Sequence, residues 1–126
     1  DGLDELTTTG HSRVWEISRG DVREHDLDPR DLGIPRAEIS DLLGGDAPHN
    51  AEVVRRVLQG ESGPVRDIVL LNAAAGIVSY RLFRDAGELQ RPFVERLAEA
   101  HAEAQAAVDS GAAAVKLDAW VAASGR

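Results

Sequence analysis

A chain of 126 residues has the size of one domain, and at 43% hydrophobic and 29% charged it can bury a core and need not stay disordered. A net charge of −8 opposes nucleic-acid binding, which calls for a basic face, and the lack of cysteine excludes disulfides and thiolate metal sites. No apolar run reaches the ~18 residues of a membrane span and no signal peptide is visible, so neither a nucleic acid nor a membrane is an expected partner. Methionine is absent too, and the chain is expected to be an excised or partly ordered piece of something longer.

The chain opens on Asp1-Gly2-Leu3-Asp4-Glu5-Leu6-Thr7-Thr8. Asp4 and Glu5 are adjacent carboxylates between short apolar residues, and hydroxyls follow at Thr7, Thr8 and Thr9. Hard oxygen ligands in one short loop suit Mg²⁺, which takes a carboxylate or two together with waters and a substrate phosphate. By spacing alone, a solvated acidic N-terminus is the simpler reading.

Ser12 to Ser18 carries Val14, Trp15 and Ile17, which favour a strand. Arg19-Gly20 fits a tight turn, and Asp21 to Asp28 reads as a weaker, more polar return strand. Together they predict a β-hairpin. A lone hairpin is marginal in water, and no other convincing strand is on offer.

Past Pro35 the pattern turns helical. Arg36 to Leu43 predicts a short helix ended by Gly44-Gly45. Asp46 suits an N-cap, with Pro48 in the first turn. The helix behind it puts Val53, Val54, Val57 and Leu58 on one face and stops at Gly60. Gly63-Pro64 opens the next helix, whose interior from Ile68 to Val78 is apolar almost all round, as in a buried helix. Asn72 lies within that run. A buried amide must find hydrogen-bond partners, which gives it a structural role. Ala86-Gly87 breaks the chain before a long Ala/Glu-rich helix from Arg91 to Val108. Asp109-Ser110-Gly111 separates that helix from a last one with Val115, Leu117, Trp120 and Val121. One hairpin and about five helices make an α/β fragment, one half of an α/β layer whose sheet is mostly missing.

Several chemistries drop out. No two of His11, His25, His49 and His101 stand at i, i+3 or i+4, which argues against a zinc site. His49 and His101 read as exposed helix residues and His25 lies on the weaker strand. His11 follows the threonines, within reach of a substrate in that loop. No Gly-x-Ser-x-Gly elbow supports a hydrolase triad. Gly44-Gly45-Asp46 has the letters of a phosphate loop, but Asp46 already puts a carboxylate at that helix N-terminus, so an N-capped turn explains it better.

Four segments carry a family resemblance: Asp1 to Thr7; Leu43-Gly44-Gly45-Asp46-Ala47 with Asn50-Ala51; Gly63-Pro64-Val65-Arg66-Asp67 running into Leu70-Leu71-Asn72-Ala73-Ala74; and Asp109-Ser110-Gly111-Ala112-Ala113. In this order and spacing the chain closely resembles the anthranilate phosphoribosyltransferase family of the tryptophan pathway, over the family's C-terminal third. The resemblance implies transfer of a phosphoribosyl group from phosphoribosyl pyrophosphate (PRPP) to the amino group of anthranilate, with release of pyrophosphate. It also implies the C-terminal layer of the nucleoside phosphorylase/phosphoribosyltransferase α/β domain, a cytoplasmic location, and Mg²⁺ held on the pyrophosphate by Asp4 and Glu5. It places no catalytic residue in this chain. Residues 1–126 would be the C-terminal portion of the α/β domain. The family's N-terminal helical domain, PRPP loop and anthranilate pocket have no counterpart here, so the chain alone is expected to be inactive. Exposed strand edges point to a homo-oligomer, formed by strand pairing or by exchange of elements between copies. Two rivals stand beside this reading: a pyrimidine nucleoside phosphorylase-like enzyme, and a non-catalytic helical interaction module with a solvated acidic tail.

Overall fold

The computed structural model describes residues 2–125; Asp1, the first residue of the opening motif, lies outside them. Strand β1 (Ser12–Ser18) pairs antiparallel with β2 (Asp21–Leu27), from Ser12 opposite Leu27 to Ser18 opposite Asp21. The turn residues Arg19 and Gly20 both have positive φ, 51° and 90°. That matches the mirror-image turn whose twist suits a two-residue hairpin. Among the described residues these two strands form the whole sheet.

Helices α1 (Ala47–Leu58), α2 (Pro64–Arg84), α3 (Phe93–Asp109) and α4 (Ala112–Ser124) follow. The short helix expected from Arg36 to Leu43 is a single 3-10 turn, Ile39–Leu42. The Glu38 N–H donates to the Asp41 carboxylate at 2.9 Å and closes that turn, while Leu43 leaves it in an extended conformation. Two further 3-10 turns occupy stretches read as connections. Pro29–Leu32 is capped by Asp28, which accepts from the Arg30 N–H at 3.0 Å, and Ala86–Gln90 is capped by Asp85. Helix α3 starts at Phe93 and not at Arg91, because a proline pushes the residue before it out of the helical region: Arg91 is extended (φ −95°, ψ 146°) and Pro92 stands at the cap.

Leu71, Ala74, Leu97 and Ala100 are fully shielded where α2 meets α3. Two of these four are alanines, and small side chains let the helix axes come close. Leu27 at the end of β2 and Ile34 join the same core. Helix α2 is buried on one side only: Val69 is 42% and Phe83 is 85% exposed. The run from Ile68 to Val78 is therefore two-faced within this chain and not covered all round. Helix α4 buries no residue, and the outer face of the hairpin presents Trp15, Ile17 and Val22 to solvent. No described helix is long and apolar enough to cross a membrane.

Candidate functional site

The N-terminal loop, β1 and α2 enclose an open groove of about 450 Å³ whose walls include Asp4, Glu5, Leu6, Arg13, Trp15 and Asn72. The alternation of β1 sets Arg13 and Trp15 on its outer face, while Val14 and Glu16 turn inward. Arg13 Nε lies 3.3 Å from Glu24 Oε1, and Trp15 Nε1 donates to Glu24 Oε2 at 3.2 Å across the hairpin. One carboxylate thus holds both wall residues.

Asp4 and Glu5 stand on the rim with exposed side chains. No hydrogen bond or ion pair ties either carboxylate to another described residue. No group of three or more metal-ligating side chains gathers among the described residues, so the pair offers two unshared carboxylates and little else. The threonines expected to add hydroxyl ligands brace the loop instead. The Thr9 N–H donates to Thr7 Oγ1 at 3.0 Å, the two hydroxyls lie 3.0 Å apart, and Thr8 is fully buried. Beyond the pair, the Thr7 N–H donates to Ser12 Oγ at 3.0 Å and the Ala37 N–H to Thr8 C=O at 3.1 Å. The pair therefore projects from a loop whose far end is tied down.

Asn72 completes the tie. Its Oδ1 accepts the Leu6 N–H at 3.0 Å, and its Nδ2 donates to Leu6 C=O and to Ile68 C=O, both at 2.9 Å. The expectation that this amide is structural is met, with partners in the loop that bears the carboxylates. The groove walls Arg13 and Trp15 escaped the sequence reading. Their signal was the period of two along β1, which places both on the face opposite Glu16.

The histidines sit elsewhere. His11 faces Asp28, with Nε2 3.3 Å from Oδ2, and Asp26, with Nδ1 3.6 Å from Oδ2; it is not among the groove residues. Asp28 is the hub of that cluster. Hydrogen bonds from Arg30 in the first place, and from Arg36, hold its carboxyl well below the usual carboxylate range despite the opposing effect of burial. His49 is exposed as expected. His101 is not: it is half-buried, and its Nε2 is shielded with no partner among the described residues, because α3 turns this position toward α2. Gly44-Gly45-Asp46 is an N-capped turn. Asp46 Oδ1 accepts the His49 N–H at 2.9 Å, and the Asn50 amide binds Gly45 at both its N–H and its C=O.

Residues 1–114 match the family described as glycosyl transferase family, a/b domain. The chain is 64% identical over 124 residues to an anthranilate phosphoribosyltransferase of Leifsonia xyli, covering 98% of this chain and 36% of that protein. It is 60% identical over 124 residues to one of Clavibacter michiganensis, covering 98% and 35%. It thus spans about a third of the length of the curated relatives it matches. The crystal structure of anthranilate phosphoribosyltransferase from Thermus thermophilus superposes with a TM-score of 0.75 at 35% identity, over 97% of this chain and 33% of that one. A variant from Saccharomyces cerevisiae with Mg bound has a TM-score of 0.74 over 93% of this chain and 31% of that one, and at 24% identity it shows the fold alone. The hairpin followed by helices is thus the architecture of this group, and the chain belongs to the glycosyl transferase family, within its α/β domain.

Proposed function

We propose that this chain is the C-terminal portion of the α/β domain of a magnesium-dependent anthranilate phosphoribosyltransferase of tryptophan biosynthesis. The enzyme would move phosphoribosyl from PRPP to the amino group of anthranilate in the cytoplasm. One observation carries the reading: a chain so close to proteins of that name presents two adjacent, unshared carboxylates on the rim of an open groove. The donor set suits Mg²⁺, which keeps several waters and takes one or two carboxylates plus phosphate oxygens.

Once bound, Mg²⁺ supplies charge neutralisation on the departing pyrophosphate. Asp4 and Glu5 are the residues here that would hold it. Arg13, on the neighbouring wall, offers a planar guanidinium suited to a phosphate oxygen. The helical domain, the PRPP loop and the anthranilate pocket fall to the part of the relatives that this chain does not span. Without them two substrates cannot be oriented, and orientation supplies much of the rate, so the isolated chain has no turnover. Self-association through the open hairpin belongs to the same proposal.

The test is the rate of the full-length enzyme against magnesium and PRPP concentration. Asp4→Asn and Glu5→Gln should each raise the half-saturating concentration of both, because each removes an anionic ligand from a hard cation. Unchanged kinetics in both variants overturns the assignment of the pair.

A further inference from the structure

We infer that Asn72 is a positioning residue for the Asp4–Glu5 pair: its amide grips the backbone of Leu6, the residue next to Glu5, and sets the direction in which both carboxylates enter the groove. The inference rests on the magnesium reading and assigns a residue that the reading leaves aside.

The geometry is a two-point clamp. Oδ1 takes the Leu6 N–H at 3.0 Å and Nδ2 returns a bond to Leu6 C=O at 2.9 Å. Two antiparallel bonds to one residue fix its peptide planes as a neighbouring strand would. The second proton of Nδ2 goes to Ile68 C=O, one helical turn back, at 2.9 Å. That bond locks the side-chain rotamer, so the clamp does not swing. Its base is rigid as well, because Leu71, the preceding residue of α2, is fully buried. Leu6 itself packs against the main core. The apolar side chain sets the depth of the loop, while the amide sets its rotation about the chain. Asn72 also lines the groove, so it acts within the site it orients. A carboxylate at this position keeps the acceptor for the Leu6 N–H and loses both donors. Alanine loses all three bonds.

The experiment uses the full-length protein containing this chain, with Mn²⁺ as the spectroscopic probe and pyrophosphate present. Free Mn²⁺ is counted by electron paramagnetic resonance, a readout independent of turnover. Asn72→Ala should weaken Mn²⁺ binding about 10-fold or more, the usual effect of removing a partner that orients a ligand. Asn72→Asp should weaken it too, although its added negative charge alone would tighten binding. The half-saturating anthranilate concentration should stay unchanged. Val108→Ala, a core truncation on α3 in the separate cluster around Leu70 and Ala104, serves as the stability control and should leave Mn²⁺ binding intact. Combined with Asp4→Asn and Glu5→Gln, Asn72→Ala should add nothing further, because the interaction it serves is already gone. If Asp4→Asn with Glu5→Gln leaves Mn²⁺ binding unchanged, the magnesium reading fails. If that pair of changes weakens binding while Asn72→Ala does not, or does so no more than Val108→Ala, the positioning role alone is overturned.

Discussion

Arg96 sets its two terminal nitrogens on the two carboxylate oxygens of Glu16, at 2.6 and 2.9 Å, across 80 positions of sequence. The side chains are 1% and 5% exposed. His25 brings Nε2 within 3.2 Å of the same carboxylate and stacks on Phe93 with 4.5 Å between ring centroids. Arg96 Nε also donates to Arg91 C=O at 3.2 Å. A hairpin that is marginal alone is thereby fastened to α3, and the groove wall it carries is fastened with it.

Arg96→Met should cost about 3–5 kcal/mol, since it strands a buried carboxylate, and Glu16→Gln in the same chain should restore part of the loss. Urea unfolding of the single and double variants measures both. The Arg96 hydrogen bond holds the Glu16 carboxyl below its ordinary value, outweighing burial. The folded state therefore binds this proton less readily than the unfolded chain. Its stabilisation is complete above the ordinary carboxylate value of 4.5 and is lost as pH falls through the lowered one. Glu16→Gln should flatten that acid limb.

Leu71→Ala should cost about 2–5 kcal/mol, because its side chain is wholly enclosed and the alanine leaves a cavity. An unfolding midpoint unchanged from the parent would contradict the packed α2–α3 seam.

His101 predicts a second pH effect. Burial pushes its imidazole below the ordinary value of 6.5, opposed by the charge of Asp67 and assisted by that of Arg66. The unfolded chain binds the proton more readily, so stability is full above the ordinary value and declines as pH drops below it toward the lowered one. His101→Gln should remove this decline. Thermal midpoints taken from about pH 7 to about pH 5 bracket the ordinary titration of histidine, and parallel curves for the two proteins would refute the role of His101.

Purified by itself, the 126-residue chain should self-associate. Trp15, Ile17 and Val22 are 57%, 67% and 61% exposed on one face of a sheet that has two strands among the described residues, and open edges recruit further strands. Light scattering should report a dimer or larger. A monodisperse monomer at high concentration would defeat the expectation, and phosphoribosylanthranilate formed by this chain alone would defeat the claim that it is inactive.

Features built from neighbouring residues were legible in the sequence. The strand-forming residues around Arg19-Gly20 announced the hairpin, Asp46 announced its own cap, and the adjacency of the Asp4 and Glu5 carboxylates was plain, because each depends on a turn or two of chain. Only the tertiary structure decided the rest. The Asn72 amide could be read as needing partners, but nothing local pointed to Leu6, 66 residues away. Glu16 and Arg96 each look like ordinary surface charges until β1 is laid on α3 and water is excluded between them. The apolar run in α2 was visible, but which side of it is covered depends on where α3 lies. His101 was misread for the same reason, since burial belongs to the packing of elements and not to the residue. Local geometry follows from short-range sterics and hydrogen bonding, whereas burial and long-range pairing exist only once the elements have docked.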